Sequence, residues 1–149
     1  LQARLGSRDI KIDFTLTEKL EFPVTAKMIL SAYSDRIDRE IPSYSLEEIV
    51  IEKLCALVGR TEPRDVYDLH FLLSRCDIDS HLIPAAFAEK ANSKGVVPSR
   101  LAEALKRPGL AKMWETRLSH QVEGLPHLEQ VLRELNRKLK EQGLLDLKP

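Results

Sequence analysis

The chain divides by its pattern of apolar and polar positions. Residues 1–43 alternate in short runs, whereas from residue 44 onward apolar side chains recur at the three- and four-residue intervals of helices with one buried face. At ~100° per residue, Leu46, Ile49, Val50, Leu54 and Leu57 form one stripe with Lys53 near its centre. Asp65 and Asp68 follow at helical spacing with Leu69 and Leu72 and share their apolar face. Ser45 and Glu48 fit a capping box, in which Ser45 takes an orphan amide and Glu48 reaches back, and Gly59 reads as the stop. Pro63 suits the first turn of a second helix, with Thr61 or Glu62 as its cap and Asp65 near the positive end of the dipole. The short connection predicts a helical hairpin.

On either side the pattern is coarser. Residues 8–15, Arg8-Asp9-Ile10-Lys11-Ile12-Asp13-Phe14-Thr15, alternate as a half-buried strand does, and residues 25–33 can pair beside 10–16 as a second strand. Ile41-Pro42 leads into the Ser45 helix. Further helices are expected at 80–93, ended by Lys94-Gly95, at 99–106, stopped by Arg107-Pro108-Gly109, and at 110–120. Pro126 opens a long helix to about Gln142, with Leu128, Val131, Leu132, Leu135 and Leu139 on one face. Trp114, spaced four residues from Leu110 and Leu118, reads as a packing anchor, and residues 143–149 as a frayed tail. The order is that of an α+β chain, with about two strands followed by a mainly helical part.

Lys53, Asp65 and Asp68 give this pattern its chemistry. Lysine and aspartate are rarely buried without a partner, so two helices packed face to face bring one ammonium and two carboxylates together. The result is either an internal ion-pair network or the wall of a polar site.

The residues Ser45-Leu46-Glu47-Glu48-Ile49, then Glu52-Lys53-Leu54-Cys55-Ala56-Leu57, Arg60 and Pro63-Arg64-Asp65-Val66-Tyr67-Asp68-Leu69 resemble the nucleotidyltransferase AbiEii/AbiGii toxin family of the polymerase-β-like superfamily. That family includes toxins of bacterial toxin–antitoxin and abortive-infection systems. The resemblance implies that residues 1–43 are the end of a nucleotidyltransferase sheet and residues 44–149 a helical C-terminal domain. It implies that Lys53 contacts nucleotide phosphates, that Asp65 is the aspartate of the catalytic region, and that Arg64 and Asp68 support nucleotide binding. A family strand near residue 13 carries a metal-coordinating carboxylate, which makes Asp13 the catalytic and metal candidate there. Mg²⁺ and a nucleoside triphosphate are the implied cofactor and substrate. An RNA acceptor and a cognate antitoxin are the implied partners.

One part of the family pattern is missing. A Gly-Ser turn and a strand-borne Asp-x-Asp pair, whose hard oxygens suit Mg²⁺, belong before Asp13, and no such pair precedes it. Gly6-Ser7 imitates the turn without a pair behind it. Asp77-Ile78-Asp79 imitates the pair, but it lies beyond the hairpin beside Ser80, where such residues cap helices. The chain opens on Leu1, as a fragment or truncated product does, and the fragment is expected to be inactive alone.

Composition narrows the class further. With 43% hydrophobic and 31% charged residues, the 149-residue chain has the make-up of a globular protein with one core. No apolar run approaches the ~20 residues of a membrane span and no signal peptide opens the chain, which points to the cytoplasm. Cys55 and Cys76 lack paired C-x-x-C spacing, and His70, His81, His120 and His127 lack ligand spacing, so thiols and not a zinc site are expected. The net charge is zero, but residues 90–117 carry Lys90, Lys94, Arg100, Lys106, Arg107, Lys112 and Arg117 against Glu103 and Glu115. That stretch is either a solvated surface, the reading favoured by its lack of interleaved aromatics, or a track for an RNA backbone. The expected function is nucleotide transfer from a triphosphate to an acceptor such as RNA. The alternatives are a non-catalytic helical module binding an antitoxin or RNA, and a purely structural role for Lys53, Asp65 and Asp68.

Overall fold

A computed structural model describes residues 2–5, 8–11, 18–29 and 38–147. Asp13 and the Gly6-Ser7 pair lie outside these residues. The strands are β1 (Gln2–Leu5), β2 (Arg8–Lys11), β3 (Thr25–Met28) and β4 (Glu40–Ser43). The helices are α1 (Leu46–Gly59), α2 (Pro63–Arg75), α3 (Ile83–Ser93), α4 (Leu101–Ala104), α5 (Pro108–Leu118) and α6 (Leu128–Glu141), with a 3₁₀ turn at Pro98–Arg100 leading into α4. The class is α+β, strands first and helices after.

Among the described residues, 10–11 and 25–28 do not pair with each other as the pattern predicts. β1 pairs with β2 (Gln2↔Lys11, Leu5↔Arg8), and β3 pairs with β4 (Thr25↔Ser43, Met28↔Glu40), giving two separate antiparallel hairpins. Local pairing closes the shorter loop. Only two positions of the chain separate β1 from β2. Pro42 is tolerated in β4 because, among the described residues, the two-stranded sheet leaves each strand one unpaired edge.

The helices carry the core. α1 packs against α2, α3 and α4, and α2 also packs against α5 and α6. Val50, Ile51, Leu54 and Leu57 of α1 meet Val66 and Leu69 of α2, Phe87 of α3, Leu101 of α4 and Leu135 and Leu139 of α6 in one buried cluster. Because α1 is wrapped on several sides, its buried arc reaches Glu48, Cys55 and Val58. Leu46 and Ile49 fall at the rim, and Lys53 sits at the margin of the arc instead of its centre.

The helix ends show why the chain turns where it does. The Ser45 hydroxyl accepts the Glu48 amide at 3.1 Å, but the Glu48 carboxylate does not reach back to close the box, because it is engaged elsewhere. Pro108 begins α5 instead of stopping the preceding helix, with its fixed φ placed at the first helical position. α3 and α6 each end in a Schellman motif. Gly95 (φ +64°) and Gly143 (φ +70°) take the left-handed conformation, and the Val96 and Leu144 amides return to the carbonyls of Ala91 at 2.8 Å and Leu139 at 2.9 Å. This reversal carries Leu144 into the core, so the predicted fraying does not extend over 143–147. Trp114 is buried, donates to the Pro126 carbonyl at 3.0 Å and lies 6.4 Å from the Tyr67 ring, as a packing anchor should.

Candidate functional site

The α1–α2 hairpin brings three of the sequence candidates together. Lys53 Nζ donates to Asp68 Oδ2 at 2.5 Å and to Asp65 Oδ1 at 3.3 Å. Asp65 is fully buried, Lys53 is 26% exposed and Asp68 39% exposed, so the ammonium bridges an inner and an outer carboxylate. Arg60, just past the end of α1, holds Asp65 from the other side through Nε at 2.8 Å and Nη2 at 3.0 Å. Such a two-pronged grip fixes a carboxylate in plane. Its hydrogen bond to Asp65 raises the Arg60 pKa. The four groups sum to zero charge, which is what allows Asp65 to sit away from water.

One side of this cluster is open. Ile49, Lys53, Asp68, Phe71 and Leu72 line a cleft of about 180 Å³ between α1 and α2. Arg64 does not join it. One residue before Asp65, it points ~100° around α2 and stands exposed on a different cleft, with Glu62, Arg117, Leu118 and Gln121.

A second ion network lies on the α3 side of α1, and it supplies the buried lysine that the sequence pattern placed at Lys53. Lys90, with no exposure, donates to Glu48 Oε1 at 2.8 Å and to the Lys19 carbonyl at 2.6 Å, and lies 2.6 Å from Glu52 Oε1. The other Glu48 oxygen accepts the amides of Glu21 and Phe22, each at 2.9 Å. Lys94 joins Glu52 to Glu18. Burial alone lowers the Lys90 and Lys94 pKa values, but their glutamate partners outweigh it and both end raised. The Glu18 carboxyl is held down at about 2, first by its hydrogen bond with Glu52 and then by the Lys94 and Lys90 ammoniums, against burial. Two acids four apart, Glu48 and Glu52, face two bases four apart, Lys90 and Lys94. That matched spacing was the available signal.

The basic stretch also has internal uses. Arg107 donates to the carbonyls of Leu57 at 3.1 Å, Val58 at 2.5 Å and Arg60 at 2.8 Å, which caps the C-terminal end of α1 with a cation. Lys90 is therefore no part of a solvated surface, and Lys94 and Arg107, though reached by solvent, are engaged by partners within the fold.

Residues 2–138 match the family described as nucleotidyl transferase AbiEii toxin, type IV toxin–antitoxin system. The chain belongs to the AbiEii nucleotidyl transferase toxin family. No curated protein and no solved structure matches it. The match spans both strand hairpins and nearly all of the helical part, so the motifs on α1 and α2 sit within it.

AbiEii-family chemistry implies a nucleoside triphosphate and a divalent metal. The described residues do not fit the metal. Among them no group of three or more His, Cys, Asp or Glu side chains is placed to hold an ion. Asp65 and Asp68 already face Lys53 and Arg60, whose charges repel Mg²⁺ from an octahedron it needs oxygens to fill. No described helix is long and apolar enough to cross a membrane.

Proposed function

We propose that this chain carries the phosphate-facing helical hairpin of a nucleotidyltransferase toxin, which passes a nucleotide from a triphosphate to an acceptor such as RNA within a system that includes a cognate antitoxin. The observation that supports this reading most is the setting of Lys53. Its ammonium is held by Asp65 at the core and by Asp68 at the rim, yet it lines an open cleft. Asp68 is the exchangeable partner. When a triphosphate enters, the outer carboxylate can turn to water while Asp65 keeps Lys53 in place, so the ammonium meets the charge building on the leaving phosphates without being reoriented. Arg60 holds the Asp65 carboxylate in plane throughout.

Residues 1–43 are proposed as the end of the catalytic sheet and 44–149 as the helical domain bearing Lys53 and the Arg64-Asp65-x-x-Asp68 motif, with Asp13 as the carboxylate supplied by the first part. Because no Asp-x-Asp pair precedes Asp13 in these 149 residues, they are proposed to bind nucleotide without transferring it. Titrating the chain with each of the four ribonucleoside triphosphates tests the binding half. Saturable binding by the parent that Lys53→Met weakens at least tenfold is expected. No binding by the parent overturns the reading and leaves Lys53 a structural ion.

A further inference from the structure

We infer that Arg64 and Arg117 form a phosphate-binding cleft, separate from the Lys53 cluster, that holds a backbone phosphate of a nucleic-acid acceptor. The two arginines come from different helices, α2 and α5, and line the same small cleft of about 110 Å³ with Glu62 and Gln121. Among the described residues neither guanidinium has a hydrogen bond or ion pair, whereas Arg60 and Arg107 are committed to Asp65 and to the end of α1. Two arginines against one Glu62 leave the cleft with a net positive charge. Guanidinium is the group whose planar donors match two phosphate oxygens at once, which suits it to phosphate better than a lysine does.

Position sets the occupant. The cleft lies at the start of α2, where Glu62 precedes the helix without capping it and the helix dipole adds positive potential. Arg64 is the chain neighbour of Asp65, so the first turn of α2 is a wall shared by this cleft and the Lys53 cluster. A cavity of this size takes a single phosphate group and falls short of the ~300 Å³ of an ordinary small-ligand pocket. A strand whose reactive end reaches the Lys53 side can leave one of its phosphates against Arg64 and Arg117. The acceptor assignment rests on the nucleotide-transfer reading, but the cleft itself does not.

The test is the salt dependence of binding of a short single-stranded RNA oligonucleotide to the chain, read by fluorescence anisotropy, for the parent and for Arg64→Gln, Arg117→Gln and Arg133→Gln. Both cleft arginines are exposed, so neither variant endangers the fold, and Arg133 on α6 serves as a basic control away from the cleft. Each cleft variant is expected to weaken binding severalfold and to flatten the log–log salt slope by about 0.7, the share of one phosphate contact on a single strand, with Arg133→Gln unchanged. Inorganic phosphate alone, followed by amide shifts at residues 62–65 and 117–121, separates the sources. Shifts with phosphate and no tighter oligonucleotide binding mean a free anion site and overturn the acceptor. Equal slopes for all four proteins overturn the cleft. If Lys53→Met loses triphosphate binding but keeps the oligonucleotide slope, both readings stand; if the parent binds oligonucleotide through these arginines and no triphosphate, the transfer reading and the acceptor assignment fall and the phosphate cleft stands.

Discussion

Glu48 and Lys90 meet at 2.8 Å with neither side chain exposed to solvent, and each has its remaining hydrogen-bonding capacity taken up by the backbone of residues 19–22 or by Glu52. Removing one member strands the other in a site without water. Glu48→Ala is expected to lower unfolding free energy by about 3–5 kcal/mol in a urea titration, while Glu48→Leu paired with Lys90→Met recovers only part of that loss, because the Glu21 and Phe22 amides, the Lys19 carbonyl and Glu52 lose their partners. A loss below about 1 kcal/mol for the single variant contradicts full burial of the pair.

Glu18 makes the fold sensitive to acid. Its carboxyl is held at about 2, below the ordinary 4.5, so the folded state gives up its proton more readily than the unfolded chain. The stabilisation from this group is complete above about pH 4.5 and disappears as the pH falls toward 2. Thermal midpoints measured across that window should drop more steeply for the parent than for Glu18→Gln. Superimposable profiles count against the network.

Lys53 and Arg60 should differ in their effect on stability. Lys53→Met leaves Asp65 its two Arg60 hydrogen bonds and frees an already half-exposed Asp68, so the loss is expected within ~1 kcal/mol. Arg60→Ala leaves the buried carboxylate one 3.3 Å contact, and about 2–3 kcal/mol is expected to go. Denaturant midpoints rank the two, and the reverse order contradicts the division between a group held for chemistry and one held for structure.

The two cysteines should react at different rates. Burial pushes the Cys55 thiol up to about 11, and Cys76 is only partly covered. Iodoacetamide at pH 8 should label Cys76 well before Cys55, followed by intact mass and peptide mapping. Equal rates indicate that α1 opens more readily than its packing implies.

The hairpin was readable because local rules agree there. Ser45, Gly59 and Pro63 set its ends, and the spacing of Lys53 with Ile49, Val50 and Leu57 and of Asp65 with Leu69 places their charges toward one another. Lys53 is less buried than its spacing predicts because α1 is apolar around much of its circumference, and a stripe drawn on such a helix has no single centre. The burial of Lys90 is not legible in the sequence because its partners lie 42 and 71 residues away, beyond any periodicity. Arg107 was missed for the same reason, since the carbonyls it caps belong to a helix about 50 positions earlier. Arg64 was grouped with its neighbour Asp65 by motif alone, although adjacent residues on a helix point in different directions.

The Lys90 contacts also bear on how the chain assembles. Its ammonium reaches back to the Lys19 carbonyl across 71 residues of chain, and it cannot leave water until Glu48, Glu52 and the 19–22 segment are all present. Closing so long a loop is slow compared with forming the α1–α2 hairpin. Docking of α3 should therefore follow the hairpin in time, and the strap of residues 18–22 should lock in the same late event, giving its Glu21 and Phe22 amides the same hydrogen-exchange protection as the middle of α3.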